Sequence, residues 1–233
     1  MKLTIVGLPI GNIEDLSMRA IKKLTETQFI VCEDTRMFGN LWSKLLNNGV
    51  VAAKFSGKLK FVNDYNEHRV LPRLLDEMSV LEEAVLVSDA GMPLISDPGF
   101  KLVREGLDRG WEIDVIPGPT AESAALSVSG LPTDKYMFLG FLPKKGGKRG
   151  EMLKHVKEMN EVMKFSVVIY ESTVRLEKIL PEMMEIFGEN AQLCLSLDLT
   201  KVSEKILRGT LKEVLEIIKV KKIKGEATLV LSL

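Results

Sequence analysis

Two short segments of the chain place carboxylates where acid–base chemistry needs them. Glu33, Asp34 and Arg36 directly follow an apolar run that is typical of a buried strand. A carboxylate beside a guanidinium can orient a hydroxyl group or accept its proton. Asp34 can equally cap the helix that begins here, because acids are favoured at the positive N-terminus of a helix. Both interpretations stay open on the sequence alone.

Glu171 occupies the same kind of position in the second half, within the triplet Tyr170-Glu171-Ser172 at the end of another apolar run. It too offers a carboxylate at a strand end, while Ser172 can serve as a helix cap. The chain shows no Ser/His/Asp or Cys/His arrangement. Its two histidines, His68 and His155, are far apart in polar helical contexts, so we expect solvated side chains and no metal site.

Three turn-rich loops, at residues 8–12, 88–99 and 117–121, each follow a predicted strand and precede a predicted helix. In α/β sheets such loops lie at the carboxyl ends of the strands, where ligands bind. Glycines let backbone amides approach a ligand closely, and prolines hold the loop shape. None of the loops matches the dinucleotide or P-loop motifs. One such loop is ordinary turn chemistry, whereas three at one sheet edge favour a small-molecule pocket.

A basic segment lies in the polar stretch 143–150, and a second group of lysines lies at 219–224. Such runs are usually solvated surface, but mobile cations can also displace counterions from a nucleic-acid backbone. No aromatic residue interleaves the first segment, which disfavours a platform for stacked bases. The cations of the first segment are Lys144, Lys145, Lys148 and Arg149.

Short apolar runs alternate with amphipathic stretches, which predicts an α/β fold with a mostly parallel sheet covered on both faces. The second half has longer apolar runs and is consistent with a mixed sheet. We place the domain boundary at Pro117-Gly118-Pro119, giving domains 1–116 and 117–233. The predicted strands are 3–7, 28–32, 51–55, 84–88, 113–116, 165–170, 191–197 and 228–233, and the clearest helices are 35–48, 98–109 and 211–220.

The composition is that of a globular protein, with 45% hydrophobic and 27% charged residues among 233. Lys+Arg and Asp+Glu both number 32, so any contact with nucleic acid must be local. Cys32 and Cys194 lie in apolar runs, which favours reduced thiols and a cytoplasmic location. No signal peptide and no run of about 18 apolar residues is present, so we expect no membrane span.

Taken together, the loops resemble the tetrapyrrole methylase superfamily and, within it, the group of ribosomal RNA small-subunit methyltransferases I. At Met92, Leu94, Thr173 and Val174 the chain differs from that group, which usually has Thr, Gly, Pro and His there. The motif His-Glu-His-Asn-Glu of the group reads Asn-Asp-Tyr-Asn-Glu at 63–67. The resemblance rests on LPIGN (8–12), EDTR (33–36), SDAGMPLISDPG (88–99), IPGPTA (116–121), SGLPTDKYMFLGFLPKKGGKR (129–149), YES (170–172), LTK (199–201), RGTL (208–211) and KGE (224–226).

The resemblance implies two α/β domains with S-adenosylmethionine in the cleft between them, a homodimer, and no metal. It implies methylation of the 2′-hydroxyl of a cytidine ribose in small-subunit (16S) ribosomal RNA, either free or in the assembled small ribosomal subunit. The first domain would carry cofactor loops and the acceptor side, and the second would complete the cofactor site. The cofactor contacts carried over are Pro9, Gly11, Asp89, Ala90, Gly91, Thr120, Ala121, Tyr170, Gly225 and Ala227.

A ribose hydroxyl is a poor nucleophile until its proton is drawn away, so a carboxylate or lysine should lie nearby. Asn12 and Arg36 would orient the RNA, and the four cations of 144–149 would contact it. Two other functions stay open: methylation of a tetrapyrrole or other small molecule, and a ribosome-associated protein that binds S-adenosylmethionine without catalysis. The candidates for the base are Glu33, Asp34, Glu67, Glu171 and Lys201, with Arg36 counted among the catalytic residues.

Overall fold

The chain forms two compact units, Met1–Thr120 and Ala121–Leu233. They are seen in a computed structural model that describes residues 1–221 and 223–233. Lys222, in the second group of lysines, therefore lies outside the described residues. The division falls just after the proline-rich turn at 117–119, and each unit is built around one five-stranded sheet.

The first unit has a sheet in which every pair of neighbouring strands is parallel. The strand order is β3-β2-β4-β1-β5, so the carboxyl ends of all five strands lie at one edge. Its strands are β1 (Lys2–Val6), β2 (Phe29–Cys32), β3 (Lys58–Phe61), β4 (Glu83–Leu86) and β5 (Glu112–Ile116), and its helices are α1 (Met18–Glu26), α2 (Thr35–Asn47), α3 (Glu67–Ser79) and α4 (Phe100–Asp108).

Both faces of this sheet are covered, which confirms the predicted arrangement. Leu3 and Ile5 point into one apolar cluster, while Val6 and Ile30 point into another. Successive strand residues face opposite sides, so a strand buried on both sides reads as a continuous apolar run. That property makes β1, β2 and β4 visible in the sequence.

The strand predicted at 51–55 is wrong. Those residues form a bent connection, and the third strand lies further along at Lys58–Phe61. The apolar side chains that suggested a strand instead pack on α2: Phe55 contacts the rings of Phe38 and Trp42 at centroid distances of 5.4 and 5.3 Å. The Nε1 of Trp42 donates a hydrogen bond to the carbonyl of Ala53 over 2.9 Å, which fixes the bend.

The second unit has a mixed sheet, as predicted, in the order β6-β7-β10-β8-β9. The pair β6–β7 is parallel and the other three pairs are antiparallel. No strand was predicted at β9, an edge strand with charged and glycine positions. The strands are β6 (Tyr136–Phe141), β7 (Ser166–Ser172), β8 (Gln192–Leu197), β9 (Lys205–Thr210) and β10 (Glu226–Ser232), and the helices are α5 (Ala121–Ser129), α6 (Gly146–Val162), α7 (Thr173–Phe187) and α8 (Leu211–Val220).

The stretch 143–150 is not a flexible loop, because α6 begins within it at Gly146. Arg149 lies in the first turn of α6 and is only 1% exposed. Its Nε and Nη2 each donate to Glu182 of α7 over 2.7 Å, and its Nη1 donates to the carbonyls of Pro143 and Lys144. The guanidinium of Arg149 is thus enclosed and holds the preceding turn against α7. This burial disfavours the expected RNA contact by Arg149, which stays a prediction.

Replacing Arg149 with Ala should lower the free energy of unfolding by about 3 kcal/mol, because Glu182 and two carbonyls lose a buried cationic partner. The neighbouring Lys148→Ala, at an exposed position, should change it by about 0.5 kcal/mol or less. Urea unfolding followed by circular dichroism measures both changes in free energy. Tryptophan fluorescence would not, because Trp42 and Trp111 both lie in the first unit. Equal losses in the two variants would contradict this account of Arg149.

Candidate functional site

The loops that follow β1 and β4 are tied together at the carboxyl edge of the parallel sheet. The backbone N–H of Leu8 donates to the carbonyl of Gly91 over 2.8 Å, and the N–H of Gly91 donates back over 3.1 Å. The structure therefore brings together Pro9 and Gly11 on one loop with Asp89, Ala90 and Gly91 on the other. Backbone groups of two loops meet at this point.

The turn after β5 reaches the same place through two glycines. A Cβ on Gly118 would lie 2.8 Å from the backbone of Gly7, and one on Gly7 would lie 2.6 Å from the nitrogen of Gly118. Real Cβ contacts are never that short, so any side chain here would force the turns apart. The Gly118 N–H also donates to the Sδ of Met92 over 3.2 Å. All three predicted ligand loops of the first unit are thus in contact, with Thr120 at the end of the last.

The loop at 88–99 is held in a strained conformation. Leu94 and Ser96 have φ angles of 75° and 67°, in the left-handed region that costs an ordinary residue about 1–2 kcal/mol. Position 94 is one where the resembling sequences usually have glycine, which adopts this conformation freely. Leu94 instead packs its side chain against the core below. Strain kept in this way is typical of ligand-binding loops.

Glu33 has the environment of a general base. It follows β2 at the carboxyl edge and is half-buried. Burial raises the pKa of its carboxyl to about 7, and the negative charges of Asp89, Asp97 and Asp64 add to the shift. A carboxyl that titrates near neutral pH is the most effective proton acceptor at that pH. Burial likewise raises the pKa of Asp97 to about 6 and raises that of Asp89.

Asp34 is a helix cap, the alternative that the sequence left open. Its Oδ1 accepts the N–H of Arg36 over 2.8 Å, and the Arg36 Nη2 donates to its Oδ2 over 2.6 Å. The hydrogen bonds from Arg36 lower the pKa of Asp34 to about 2, which makes it a poor proton acceptor. The N–H of Asp34 donates to Asp89 over 3.1 Å, so the cap also links two loops. The side chain of Arg36 is exposed at this edge.

Two further candidates have structural partners in the first unit. Glu67 is buried at the start of α3, where the Nζ of Lys101 donates to it over 2.8 Å. That ion pair joins α3 to α4, so we assign Glu67 a positioning role. Asn12 accepts the N–H of Glu14 over 3.1 Å and caps the short 3₁₀ turn Ile13–Asp15.

Tyr170 and Glu171 point to opposite faces of β7, as neighbouring strand residues must. The Tyr170 hydroxyl donates to the Glu122 carboxylate and accepts the Glu122 N–H over 3.1 Å. Glu171 is only 2% exposed, lies 3.4 Å from the Nη1 of Arg175, and accepts the N–H of Ser172 over 2.8 Å. Burial raises its pKa, and the carboxyl is enclosed. This enclosure disfavours the catalytic role of Glu171, which stays a prediction.

Lys201 is an ion-paired cation. Its Nζ donates to Glu226 over 2.8 Å and lies 3.4 Å from Asp198. Burial lowers the pKa of Lys201, but its hydrogen bonds and the charges of these two partners outweigh that effect and raise it overall. A lysine that stays protonated cannot accept a proton, so this environment disfavours a role of Lys201 as base, which stays a prediction.

The loop beside Lys201 belongs to the edge at which β7 and β8 end and β10 begins. Gly225 has a φ of 106°, and a Cβ there would lie 2.6 Å from the Cγ of Asp198, so only glycine fits. Ala227 is buried on β10 between Glu171 and Leu197. The assignment of Ala121, Tyr170, Gly225 and Ala227 to the cofactor stays a prediction.

Within the described part of the chain, no group of three or more His, Cys, Asp or Glu side chains could hold a metal ion. None of the helices described there is both long enough and apolar enough to cross a membrane.

Comparison with known proteins defines the class to which this fold and site belong. Residues 2–215 match the sequence profile of the tetrapyrrole (corrin/porphyrin) methylases. The structure of uroporphyrin-III C-methyl transferase from Thermus thermophilus, complexed with S-adenyl homocysteine, superposes with a TM-score of 0.66 at 19% identity, over 100% of this chain and 97% of that one. At that identity the likeness shows a shared fold.

Two relatives are similar over nearly the whole chain. The ribosomal RNA small subunit methyltransferase I of Thermotoga maritima is 38% identical over 231 residues, which are 99% of this chain and 98% of the relative. The protein of the same name from Halalkalibacterium halodurans is 40% identical over 228 residues, 98% of this chain and 74% of the relative. The chain belongs to the tetrapyrrole methylase family, within the group of ribosomal RNA small subunit methyltransferases I. The predicted family and the prediction of a methyltransferase are confirmed.

The Glu33 carboxyl should titrate with a pKa of about 7, measurable by NMR of protein labelled with ¹³C at glutamate side chains. Asp89→Asn removes the neighbouring charge that contributes most after burial, so it should lower that pKa. Glu14→Gln, at an exposed glutamate on the preceding loop, is the control and should leave it unchanged. A Glu33 pKa near the ordinary 4.3 would show that the carboxyl is solvated and would remove the case for Glu33 as the base.

Proposed function

We propose that this protein transfers the methyl group of S-adenosylmethionine to the 2′-hydroxyl of a cytidine ribose in small-subunit ribosomal RNA. The observation that carries the proposal is Glu33, a half-buried carboxyl at the ligand edge of the first sheet whose pKa is raised to about 7. The choice of acceptor is supported by the names of the relatives in Thermotoga maritima and Halalkalibacterium halodurans.

The first unit suits a cofactor of this chemistry. S-adenosylmethionine carries positive charge on its sulfur and its amino group, and the edge of the sheet presents Asp89 and Asp97 close to Glu33. The glycines Gly7 and Gly118 let the turns after β1 and β5 close on each other, which holds the backbone at this edge in a fixed position for a ligand. We propose that the cofactor is held at this edge by the residues predicted for it in the first unit. They are Pro9, Gly11, Asp89, Ala90 and Gly91, with Thr120 on the adjoining turn.

Glu33 performs the proton transfer in this proposal. When bound, S-adenosylmethionine supplies an electrophilic methyl group, so alignment contributes most of the rate enhancement. The ribose hydroxyl gains nucleophilicity as its proton moves to the Glu33 carboxylate. Asp34 and Arg36 do not share that task, because their ion pair lowers the pKa of Asp34 and makes its carboxylate a poor proton acceptor. Arg36 is exposed beside the base and is placed to orient the RNA.

Three exposed lysines of the second unit are the proposed phosphate contacts. Lys144 and Lys145 precede α6, and Lys148 lies in its first turn. The turn carries no acidic residue and no side-chain cap, so the positive end of the helix adds to the three charges. Arg149 contributes by holding this turn in place.

The proposed function predicts transfer of a labelled methyl group from S-adenosylmethionine to small ribosomal subunits isolated from cells that lack this protein. The label should map to a single ribose, because a 2′-O-methyl group blocks alkaline cleavage at that position. Free 16S ribosomal RNA, tested in parallel, shows whether the assembled subunit is required. Cofactor binding without label in either acceptor would reject the RNA proposal and favour a small-molecule acceptor or a non-catalytic role.

In the same assay, the Glu33→Gln variant tests the base directly. It should lower the rate about 100-fold or more, because the proton acceptor is removed. The wild-type rate should rise with pH and level off above about pH 7, because only the ionised Glu33 accepts a proton. A variant that keeps the wild-type rate would assign proton removal to solvent.

Replacing Lys144, Lys145 and Lys148 together with Ala should weaken subunit binding and spare cofactor binding. The dependence of log binding constant on log salt should become shallower by about 2–3, one lost phosphate contact for each lysine. The control replaces three other exposed lysines of the same unit, Lys154, Lys164 and Lys178, with the same change in net charge. Equal effects of the two triple variants on subunit binding would show that binding depends on net charge alone and not on contacts by these three lysines.

A further inference from the structure

Tyr65 is the most exposed large hydrophobic residue in its unit, at 99%. An aromatic ring left in water forgoes the free energy of burial that such residues usually provide. The ring of Tyr65 therefore contributes nothing to the packing of either apolar cluster of the first unit.

Tyr65 lies at the ligand edge of the parallel sheet, in the turn that follows β3, the strand next to β2 and Glu33. Cys32 pairs with Phe61 across β2 and β3, and the N–H of Val62 donates to the carbonyl of Cys32 over 2.9 Å. Residues 63–66 therefore leave the sheet directly beside the point at which Glu33 leaves it. The charge of Asp64, adjacent to Tyr65, is among those that influence Glu33.

The segment that carries Tyr65 is rigid. The side chain of Asn63 accepts the N–H groups of Tyr65 and Asn66 over 3.2 and 3.1 Å, and the side chain of Asn66 accepts the N–H of Asn63 over 2.9 Å. The Asn66 Nδ2 donates to the carbonyl of Phe61 over 3.3 Å. A ring presented on a backbone fixed in this way loses little entropy when it binds.

The charges at this edge limit what the ring can bind. Glu33, Asp64, Asp89 and Asp97 influence one another electrostatically, so a phosphate group is disfavoured here. The uncharged face of a nucleobase is not repelled, and single-stranded RNA is commonly held by stacking of its bases on aromatic side chains.

We propose that Tyr65 stacks on a nucleobase of the RNA acceptor, next to the ribose whose hydroxyl faces Glu33. The inference rests on the proposed function, because it requires an RNA acceptor at Glu33. In this arrangement the acidic edge accepts the base and sugar, while the lysines at 144, 145 and 148 carry the phosphate contacts. Tyr65 thereby contributes to the choice and orientation of the modified nucleotide.

The test compares Tyr65→Ala, Tyr65→Leu, Tyr65→Phe and Tyr65→Trp in methyl transfer to small subunits from cells that lack this protein. Loss of one stacked base should raise the KM for subunits about 5- to 100-fold in the Ala variant. The Leu variant should behave like Ala, and the Phe and Trp variants like wild type. The KM for S-adenosylmethionine should not change. Tyr136→Ala, at an exposed tyrosine of the second unit, is the matched control.

The outcomes separate this inference from the function on which it rests. Wild-type protein that methylates subunits, with an unchanged KM in the Ala and Leu variants, overturns the stacking proposal and leaves the function standing. A Leu variant that keeps the wild-type KM overturns it too, because an apolar contact would then suffice. Wild-type protein that transfers no label to RNA overturns both. Equal melting temperatures of all variants confirm that a change in KM does not reflect unfolding.

Discussion

The backbones of Gly7 and Gly118 touch, and this contact governs the rest of the site in the first unit. The strand order places β1 between β4 and β5, so the turns after these three strands emerge side by side. With no Cβ on either glycine the turns close on each other, and the sulfur of Met92 fills the remaining gap beside them. Leu8 and Gly91 can then exchange hydrogen bonds, which holds the loops after β1 and β4 together at the edge of the sheet.

Burial and neighbouring charges separate the roles of adjacent carboxylates. Burial and the like charges of Asp89, Asp97 and Asp64 raise the pKa of Glu33 to about 7, although a hydrogen bond from the backbone of Asp89 opposes the shift. Asp34, the next residue, has a guanidinium and a backbone N–H as partners, so its pKa falls to about 2. Two neighbouring acids of similar intrinsic strength thus become a proton acceptor and a permanent anion. The environment that the fold provides decides the chemistry.

The sequence alone predicted the two-sided parallel sheet, the mixed second sheet and the three loops at one edge, because buried strands and turns have strong local signatures. It missed β3 and β9, which are edge strands that carry charged residues. It also gave no sign of the ion pairs of Arg149 and Lys201, whose partners lie 33 and 25 residues away. Pairings over such separations depend on helix packing and strand order, which local patterns do not encode. The exposure of Tyr65 was hidden for the same reason.

The contact between buried Arg149 and partly exposed Glu182 has a consequence for how these two positions can vary. Loss of Glu182 alone leaves the buried charge of Arg149 without its ionic partner, whereas exchange of both for apolar residues of similar volume is tolerated far better. The two positions are therefore epistatic, and drift at one is blocked unless the other changes with it. Because the same guanidinium also holds the carbonyls of Pro143 and Lys144, a neutral double replacement would still release the turn. Selection that preserves the lysines of that turn thus also preserves the contact between Arg149 of α6 and Glu182 of α7, although neither residue binds a substrate in this proposal.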